Sequence, residues 1–440
     1  MNKLLRFPIV VSLSLAVCTS WPALQAAVPK PALPFAITTD HPKAIYKQGE
    51  TVAFTVRLVA DSPVAKDAAV AWSISKDGVP PVQTGKVQLT NGTARVTATL
   101  SEPGHLLCRM TTTVNGKTVE ALAGAAIDPL LIKPSMPVPD DFDAFWSEQK
   151  KQLAAVPMNP RLTSVTTRAA TNVECFDVQL DCVGTAPVSG YYARPAGAKK
   201  KSLPIILLVQ GAGVHSSALA NAATWCAKGL LAMDINAHGI PNGKPEQFYK
   251  DLEQGALQDY RHAGRESRET CYFLGMFLRV IRAIDFLAAQ PEWDGKTVIM
   301  YGSSQGGFQA FAAAGLDERV TYLAAGVPAG CDHTGAKANR ISGWPKLVPN
   351  GADGKPDVKV LQAARYFDNV NFATRAKAKG AFVTVGFIDL TCPATSVYAA
   401  YNNLPMPKKI YNDIPSGHAN SPAATRARNQ AVFDYLKSVK

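Results

Sequence analysis

A chain of 440 residues that is 47% hydrophobic and only 18% charged can bury a large core, which excludes wholesale disorder and a small disulfide-stapled scaffold. Lys and Arg outnumber Asp and Glu by 46 to 34, a formal charge of +12, but they are scattered rather than striped, so nucleic acid is not an expected partner. The longest basic run, Lys199-Lys200-Lys201, reads as a solvated loop. At roughly 100–200 residues per domain, the length predicts two or three domains.

The first 27 residues stand apart. Met1 to Arg6 is basic, Ile9 to Val17 is almost wholly apolar, and Ala23-Leu24-Gln25-Ala26-Ala27 ends in small residues, the pattern of a cleaved export signal with its cut after Ala26 or Ala27. Its removal takes Lys3 and Arg6 and no acid, leaving +10. Cys18 is preceded by Val17 where a lipoprotein signal needs a small residue. No later apolar run reaches about 20 residues, so no membrane insertion is expected, and the protein is expected to be periplasmic or secreted. Seven cysteines remain after cleavage. An odd count leaves at least one thiol unpaired, and their wide spacing gives neither a disulfide framework nor a zinc pattern.

Residues 35–128 read as all-β. Thr51 to Leu58 alternates, Val70 to Ser75 is an apolar strand, and Lys86 to Leu89 and Ala94 to Leu100 flank Asn91-Gly92, a hairpin signal. Leu106 to Val114, Asn115-Gly116 and Thr118 to Ala121 repeat the device. Short strands at this spacing predict an immunoglobulin-like sandwich, without the Cys…Trp…Cys pattern of antibody domains.

A Pro-rich linker, residues 129–139, leads to a helix opening at Pro139-Asp140-Asp141, and residues 140–440 form the second unit. Val173 to Val183 and Val188 to Arg194 read as antiparallel strands. After them strands and helices alternate: Leu203 to Val209, helical Leu219 to Lys228, Leu230 to Ile235, helical Tyr272 to Gln290, Thr297 to Tyr301, helical Gly306 to Gly315, Val320 to Val327, Ala381 to Ile388 and a closing helix. That grammar predicts a doubly wound α/β sheet. Stretches 239–271 and 331–378 resist assignment, and insertions of that length usually shape an active site.

Gly302-Ser303-Ser304-Gln305-Gly306 fits GxSxG and lies between a buried strand and a helix, the context of a nucleophile elbow, so Ser304 is the candidate nucleophile. A serine hydroxyl needs a base, and the base needs an orienting acid. Only His418 follows the candidate acids. Asp389 directly follows the strand Val383 to Ile388 and is the preferred acid; Asp413 and Asp368 are the rivals. The backbone N–H of Gln305 and that of Ala212, in Gln210-Gly211-Ala212-Gly213, are candidate oxyanion donors. His238 and His215 lie on loops at the carboxyl ends of strands, and His238 is the candidate substrate-binding residue. With no HExxH, no GxGxxG after a strand and no Walker motif, no metal or nucleotide cofactor is expected.

From about Pro139 onward the chain resembles the acetyl xylan esterase and cephalosporin C deacetylase family of α/β-hydrolases. The likeness is carried by Pro139 to Trp146, Arg282 to Leu287, Gly302 to Gly307, Asp389 to Pro393, and the tail from Val397 to His418. It implies a serine carboxylesterase that removes acetyl groups from polysaccharide or oligosaccharide, with Ser304, Asp389 and His418 in the family's triad positions. The chain departs from the family at Asn236-Ala237-His238-Gly239, where Arg-Gly-Gln is usual, at Ala419 for a usual Glu, and at Gln210-Gly211-Ala212 for His-Gly-Tyr. These departures and the added sandwich put the family's hexamer in question and leave the oligomeric state open. The rival readings are a prolyl oligopeptidase-like peptidase, whose β domain is normally a larger propeller, an acyl-CoA thioester hydrolase, which an exported protein would starve of CoA, and a glycan-binding relic.

Overall fold

The computed structural model describes residues 33–439, so the expected export signal, its cleavage site and Cys18 lie outside the described residues. The chain opens with eight strands, β1 (Phe35–Thr39), β2 (Ile45–Tyr46), β3 (Thr51–Leu58), β4 (Ala69–Lys76), β5 (Gln83–Gln88), β6 (Thr93–Thr99), β7 (Gly104–Val114) and β8 (Lys117–Ile127). They form two sheets, β1-β3-β6 and β2-β8-β7-β4-β5, packed around a core that includes Val52, Phe54, Val56, Ile74, Leu106 and Met110. This is the expected immunoglobulin-like domain.

The two Asn-Gly turns behave differently. At Asn115-Gly116 both residues have positive φ and β7 pairs directly with β8, a two-residue hairpin. Asn91-Gly92 has the same left-handed backbone, yet beyond the isolated bridge between Thr90 and Thr93 no hairpin follows. Strand β6 instead crosses to the other sheet, where Ala94, Val96 and Ala98 lie opposite Val56, Phe54 and Val52 of β3. Asn91-Gly92 makes the expected turn but not the expected hairpin, because burial of an apolar face against β3 outweighs a local turn preference.

The second unit comprises α1 (Phe142–Ala155), β9 (Arg161–Val165), β10 (Val173–Leu180), β11 (Val188–Pro195), β12 (Leu203–Val209), α2 (Leu219–Cys226), β13 (Leu231–Ile235), α3 (Glu246–Gln254), α4 (Tyr272–Ala288), β14 (Trp293–Ser303), α5 (Gln305–Leu316), β15 (Tyr322–Gly326), α6 (Val358–Ala364), α7 (Asn369–Ala373), β16 (Gly380–Gly386), α8 (Ala394–Asn402), β17 (Lys408–Asp413) and α9 (Pro422–Ser438). Its nine strands run in the order β17-β16-β15-β14-β12-β13-β11-β10-β9. The first six of that order are parallel to one another, and the last three join antiparallel. The period-2 rule divides the central strands between two cores: Ile205, Leu207 and Val209 face one side with Phe273, Phe277 and Phe308, and Ile206 and Leu208 face the other with Ala222, Trp225 and Val432. Helices therefore cover both faces, giving the expected α/β-hydrolase sheet.

Chain direction reverses beside β12. The connection through α2 places β13 on one side of it, and α4 carries the chain back to β14 on the other. Such a switch point leaves a crevice at the carboxyl ends of the two parallel strands, where loops after β12 and β14 diverge. Those loops are 210–218 and the segment around Ser304. The Pro-rich connector lies against this unit: Ile132 is buried in its core, Asn402 Nδ2 donates to the carbonyls of Pro129 and Ile132, and Ser135 N–H donates to Asp332 Oδ1. All seven described cysteines are buried and unbridged, and no described helix is long and apolar enough to cross a membrane.

Candidate active site

Ser304 sits between β14 and α5 with φ 57° and ψ −122°, a backbone that non-glycine residues avoid at a cost of about 1–3 kcal/mol. The flanking glycines make this turn feasible. A Cβ on Gly302 would lie 2.4 Å from the Gly306 backbone, and one on Gly306 would lie 2.2 Å from the Val209 carbonyl oxygen. Both contacts are backbone, so neither could relax by a side-chain move. The elbow is held from below by the buried Arg428 of α9, whose Nη1 donates to the Gly302 carbonyl at 3.0 Å and to Ser303 Oγ at 2.8 Å while its guanidinium stacks 4.1 Å over the Tyr301 ring. Burial lowers the pKa of that guanidinium from its ordinary value. Asn420 Nδ2 adds a bond to Ser303 Oγ at 3.3 Å.

The structure brings Ser304, His418 and Asp389 together from three separate loops. His418 Nε2 lies 2.8 Å from Ser304 Oγ, and His418 Nδ1 lies 2.8 Å from Asp389 Oδ2. The Asp389 side chain is fully buried and that of His418 is 25% exposed. Asp389 Oδ1 accepts the N–H groups of Thr391 and Cys392, each at 2.8 Å, so the loop that follows β16 folds around its own carboxylate. With Oδ1 turned inward, Oδ2 is left to take the Nδ1–H of His418. That bond puts the ring proton on Nδ1 and leaves Nε2 able to accept from the serine.

The rival acids are engaged elsewhere. Asp413 Oδ2 accepts the Ser421 N–H at 2.9 Å and closes the turn before α9. Asp368 is buried in the insertion after β15, where it accepts the N–H groups of Asp332, His333 and Val370. Burial, with Asp332 close by, pushes its carboxyl well above the usual carboxylate range.

Ser304 and His418 open onto a shallow cavity of about 410 Å³ lined also by Gly211, Ala212, Val327, Trp344 and Thr391. As the first residue of α5, Gln305 has a backbone N–H with no intrahelical acceptor. The loop after β12 is fixed through its carbonyls: Gln309 Nε2 donates to Gln210 O at 3.0 Å, Gln305 Nε2 to Gly211 O at 3.4 Å, and His238 bonds Gly213 O at 3.0 Å. In a trans peptide the C=O and N–H point opposite ways. Tying the Gly211 carbonyl inward to Gln305 turns the Ala212 N–H outward, toward the cavity that Ala212 lines. The Gln210 side chain donates to Asp234 Oδ1 at 2.6 Å, anchoring the base of the loop; burial raises that carboxyl to about 6.

His238 is not brought to the cavity. It is buried, with Nδ1 2.7 Å from the Tyr272 hydroxyl and Nε2 on Gly213 O, and burial pushes its ring down to about 4. Both nitrogens are engaged within the protein, so none is left for a ligand. His215 stays exposed on the same loop. The two unassigned insertions do reach the site: Tyr260 donates to Gln305 Oε1 at 2.6 Å, and Trp344 walls the cavity. No sequence signal singled out Tyr260, Trp344, Asn420 or Arg428, since each acts through a partner distant in the chain. Among the described residues, Asp389, Cys392 and His418 form the one cluster with metal-ligand spacing. Its carboxylate oxygens and Nδ1 are engaged with one another and with backbone donors, and burial holds the Cys392 thiol well above its usual range, which disfavours a thiolate ligand.

The model of the acetyl xylan esterase family matches residues 131–437. Acetyl esterase Axe7A of Xylanibacter ruminicola is 31% identical over 378 residues, covering 84% of this chain and 83% of that protein, so the match runs beyond the hydrolase unit into the sandwich. Among solved structures, the acetyl xylan esterase from Paenibacillus sp. R4 superposes with a TM-score of 0.60 at 26% identity, covering 70% of this chain and 98% of its own. Acetyl xylan esterase 1 from Thermoanaerobacterium sp. JW/SL YS485 shares the fold, with a TM-score of 0.55 at 21% identity over 69% of this chain and 96% of that one.

Proposed function

The chain belongs to the acetyl xylan esterase family and is a carboxylic ester hydrolase of acetylated substrates, and from that premise we propose that it is an exported serine esterase that deacetylates polysaccharide or oligosaccharide through an acyl-enzyme. Ser304 Oγ attacks the acetyl carbonyl while His418 Nε2 takes its proton. Asp389 holds Nδ1–H and stabilises the imidazolium, and the N–H groups of Gln305 and Ala212 receive the developing oxyanion. His418 then returns the proton to the departing sugar hydroxyl. Water, deprotonated by the same imidazole, releases acetate and restores Ser304.

The observation that carries this reading is the unbroken line from Asp389 through His418 to Ser304 at 2.8 and 2.8 Å. An acetyl group fits the small cavity over Ser304, and the Trp344 indole offers an apolar wall for the face of a sugar ring. His238 is assigned to holding the 210–213 loop rather than to touching substrate. The same reading takes residues 1–27 as the export signal, 35–128 as the sandwich, 129–139 as the linker and 140–440 as the catalytic unit, with the enzyme periplasmic or secreted, where plant polysaccharide would be met.

The test compares wild type with Ser304→Ala for acetate release from acetylated xylo-oligosaccharides and from short aryl esters. We expect a loss of about 10³-fold or more in kcat. Full activity in Ser304→Ala would refute the mechanism. Hydrolysis by wild type of long acyl chains alone would leave the chemistry intact and refute the substrate.

A further inference from the structure

The sandwich meets the hydrolase unit at the loop that carries Asp389. Asp77 and Gly78 form the turn after β4, both with left-handed backbone. Asp77 is 3% exposed, and its carboxylate accepts the hydroxyl of Thr395, at the start of α8. The Asp77 carbonyl accepts the Ile341 N–H at 3.2 Å, and the Asp77 N–H donates to the His105 carbonyl at 2.9 Å. Ile341 leads into Trp344, whose N–H donates to Thr391 O at 2.6 Å. One turn of the sandwich therefore grips both the segment 389–395 and the segment that carries the cavity wall.

Two further contacts press on the same loop. Gly124 of β8 faces the Phe387 carbonyl so closely that a Cβ there would lie 2.1 Å from the oxygen, and the His105 ring meets the Phe387 ring edge-on at 5.4 Å. Asp389 takes two of its three hydrogen bonds from its own loop, so the carboxylate goes where the loop goes. On one side the loop is set by His418; on the other its neighbours are Asp77, His105 and Gly124. The buried Asp77 carboxylate would be costly unless bonded, and its hydrogen bond crosses to Thr395, just beyond the loop that presents Asp389.

We propose that the sandwich is part of the catalytic apparatus rather than an appendage, with Asp77 a positioning residue that acts through Thr395 and Ile341 to fix Asp389 and Trp344. This rests on Asp389 being the triad acid. Displacing such a loop by about 1 Å is enough to cost about 10²-fold in rate.

The test uses the full chain. Asp77→Ala and Thr395→Val are expected to lower kcat for an aryl acetate by about 10- to 100-fold with KM changed less than about threefold, while Thr395→Ser, which keeps the hydroxyl, recovers kcat to within about twofold. The Asp77→Ala/Thr395→Val double variant is expected to be no slower than the slower single one, as partners in one interaction require. Cooperative thermal unfolding establishes that each variant is folded, and rates are taken per folded molecule. Asp389→Asn is measured alongside. If it is inactive while both single variants keep wild-type kcat, or lose only folded yield, the proposal is overturned and the triad stands. If Asp389→Asn itself is active, the triad assignment falls and takes this proposal with it.

Discussion

Replacing Asp389 by Asn tests the relay with almost no change in shape. Asp389 Oδ1 accepts two backbone N–H groups at 2.8 Å, so the amide must keep its oxygen there, because the opposite flip would set an NH₂ against two donors. The NH₂ then replaces Oδ2, 2.8 Å from His418 Nδ1. Nδ1 can no longer donate to it, so it becomes the acceptor and the ring proton moves to Nε2. Nε2 now donates to Ser304 Oγ and cannot take its proton. The geometry survives and the base is lost, for which the expected fall in kcat is about 10⁴-fold, or about 5.5 kcal/mol of transition-state stabilisation. Steady-state hydrolysis of para-nitrophenyl acetate reads it directly. The control is Asp413→Asn, whose carboxylate bonds the Ser421 N–H instead of His418; kcat should stay within about twofold and stability should fall by about 1–2 kcal/mol. Retention of more than about a tenth of kcat in Asp389→Asn, or an equal loss in Asp413→Asn, would refute the assignment.

Three further outcomes follow from the strained elbow, a buried imidazole and the thiols. Ser304→Gly relieves the positive φ while Ser304→Ala does not, so the inactive Gly variant should be the more stable of the two by about 1 kcal/mol in urea unfolding; equal stabilities would mean that the turn stores no strain. Burial lowers His105 to about 4 from an ordinary value of 6.5, so the unfolded chain gains a proton that the folded one refuses, and stability is lost as the pH falls from about 6.5 to about 4. His105→Leu removes that loss, and its stability relative to wild type should rise by about 3 kcal/mol between pH 7 and pH 4; a difference independent of pH would contradict the burial argument. With all seven described cysteines unbridged, a reducing agent should leave Tm unchanged to within about 1 °C, and a drop of several degrees would reveal a disulfide.

The sequence by itself determined what depends on neighbours along the chain. Period-2 alternation marked Thr51 to Leu58 as a strand of the all-β unit, the continuous apolar run marked Leu203 to Val209, and the alternation of the later strands with helices gave the doubly wound class. GxSxG between a strand and a helix located Ser304, because a sharp turn needs small residues on both sides. Chain order then narrowed the base to His418 and ranked Asp389 first, since strand ends at the carboxyl edge of such a sheet gather at one crevice.

Only the tertiary structure decided what depends on distant partners. Asn91-Gly92 encodes a turn but not the sheet to which its strands belong, and β6 joins β3 because that is where its apolar face is buried. His238 looked like a ligand-facing loop residue, and Tyr272 and the Gly213 carbonyl made it a strut. Asp77 and Thr395 lie 318 residues apart, a separation across which no local pattern carries information. A sequence states the chemistry that each residue can offer, and the packed chain determines which partner takes it, since hydrogen bonds and burial are settled by proximity in space.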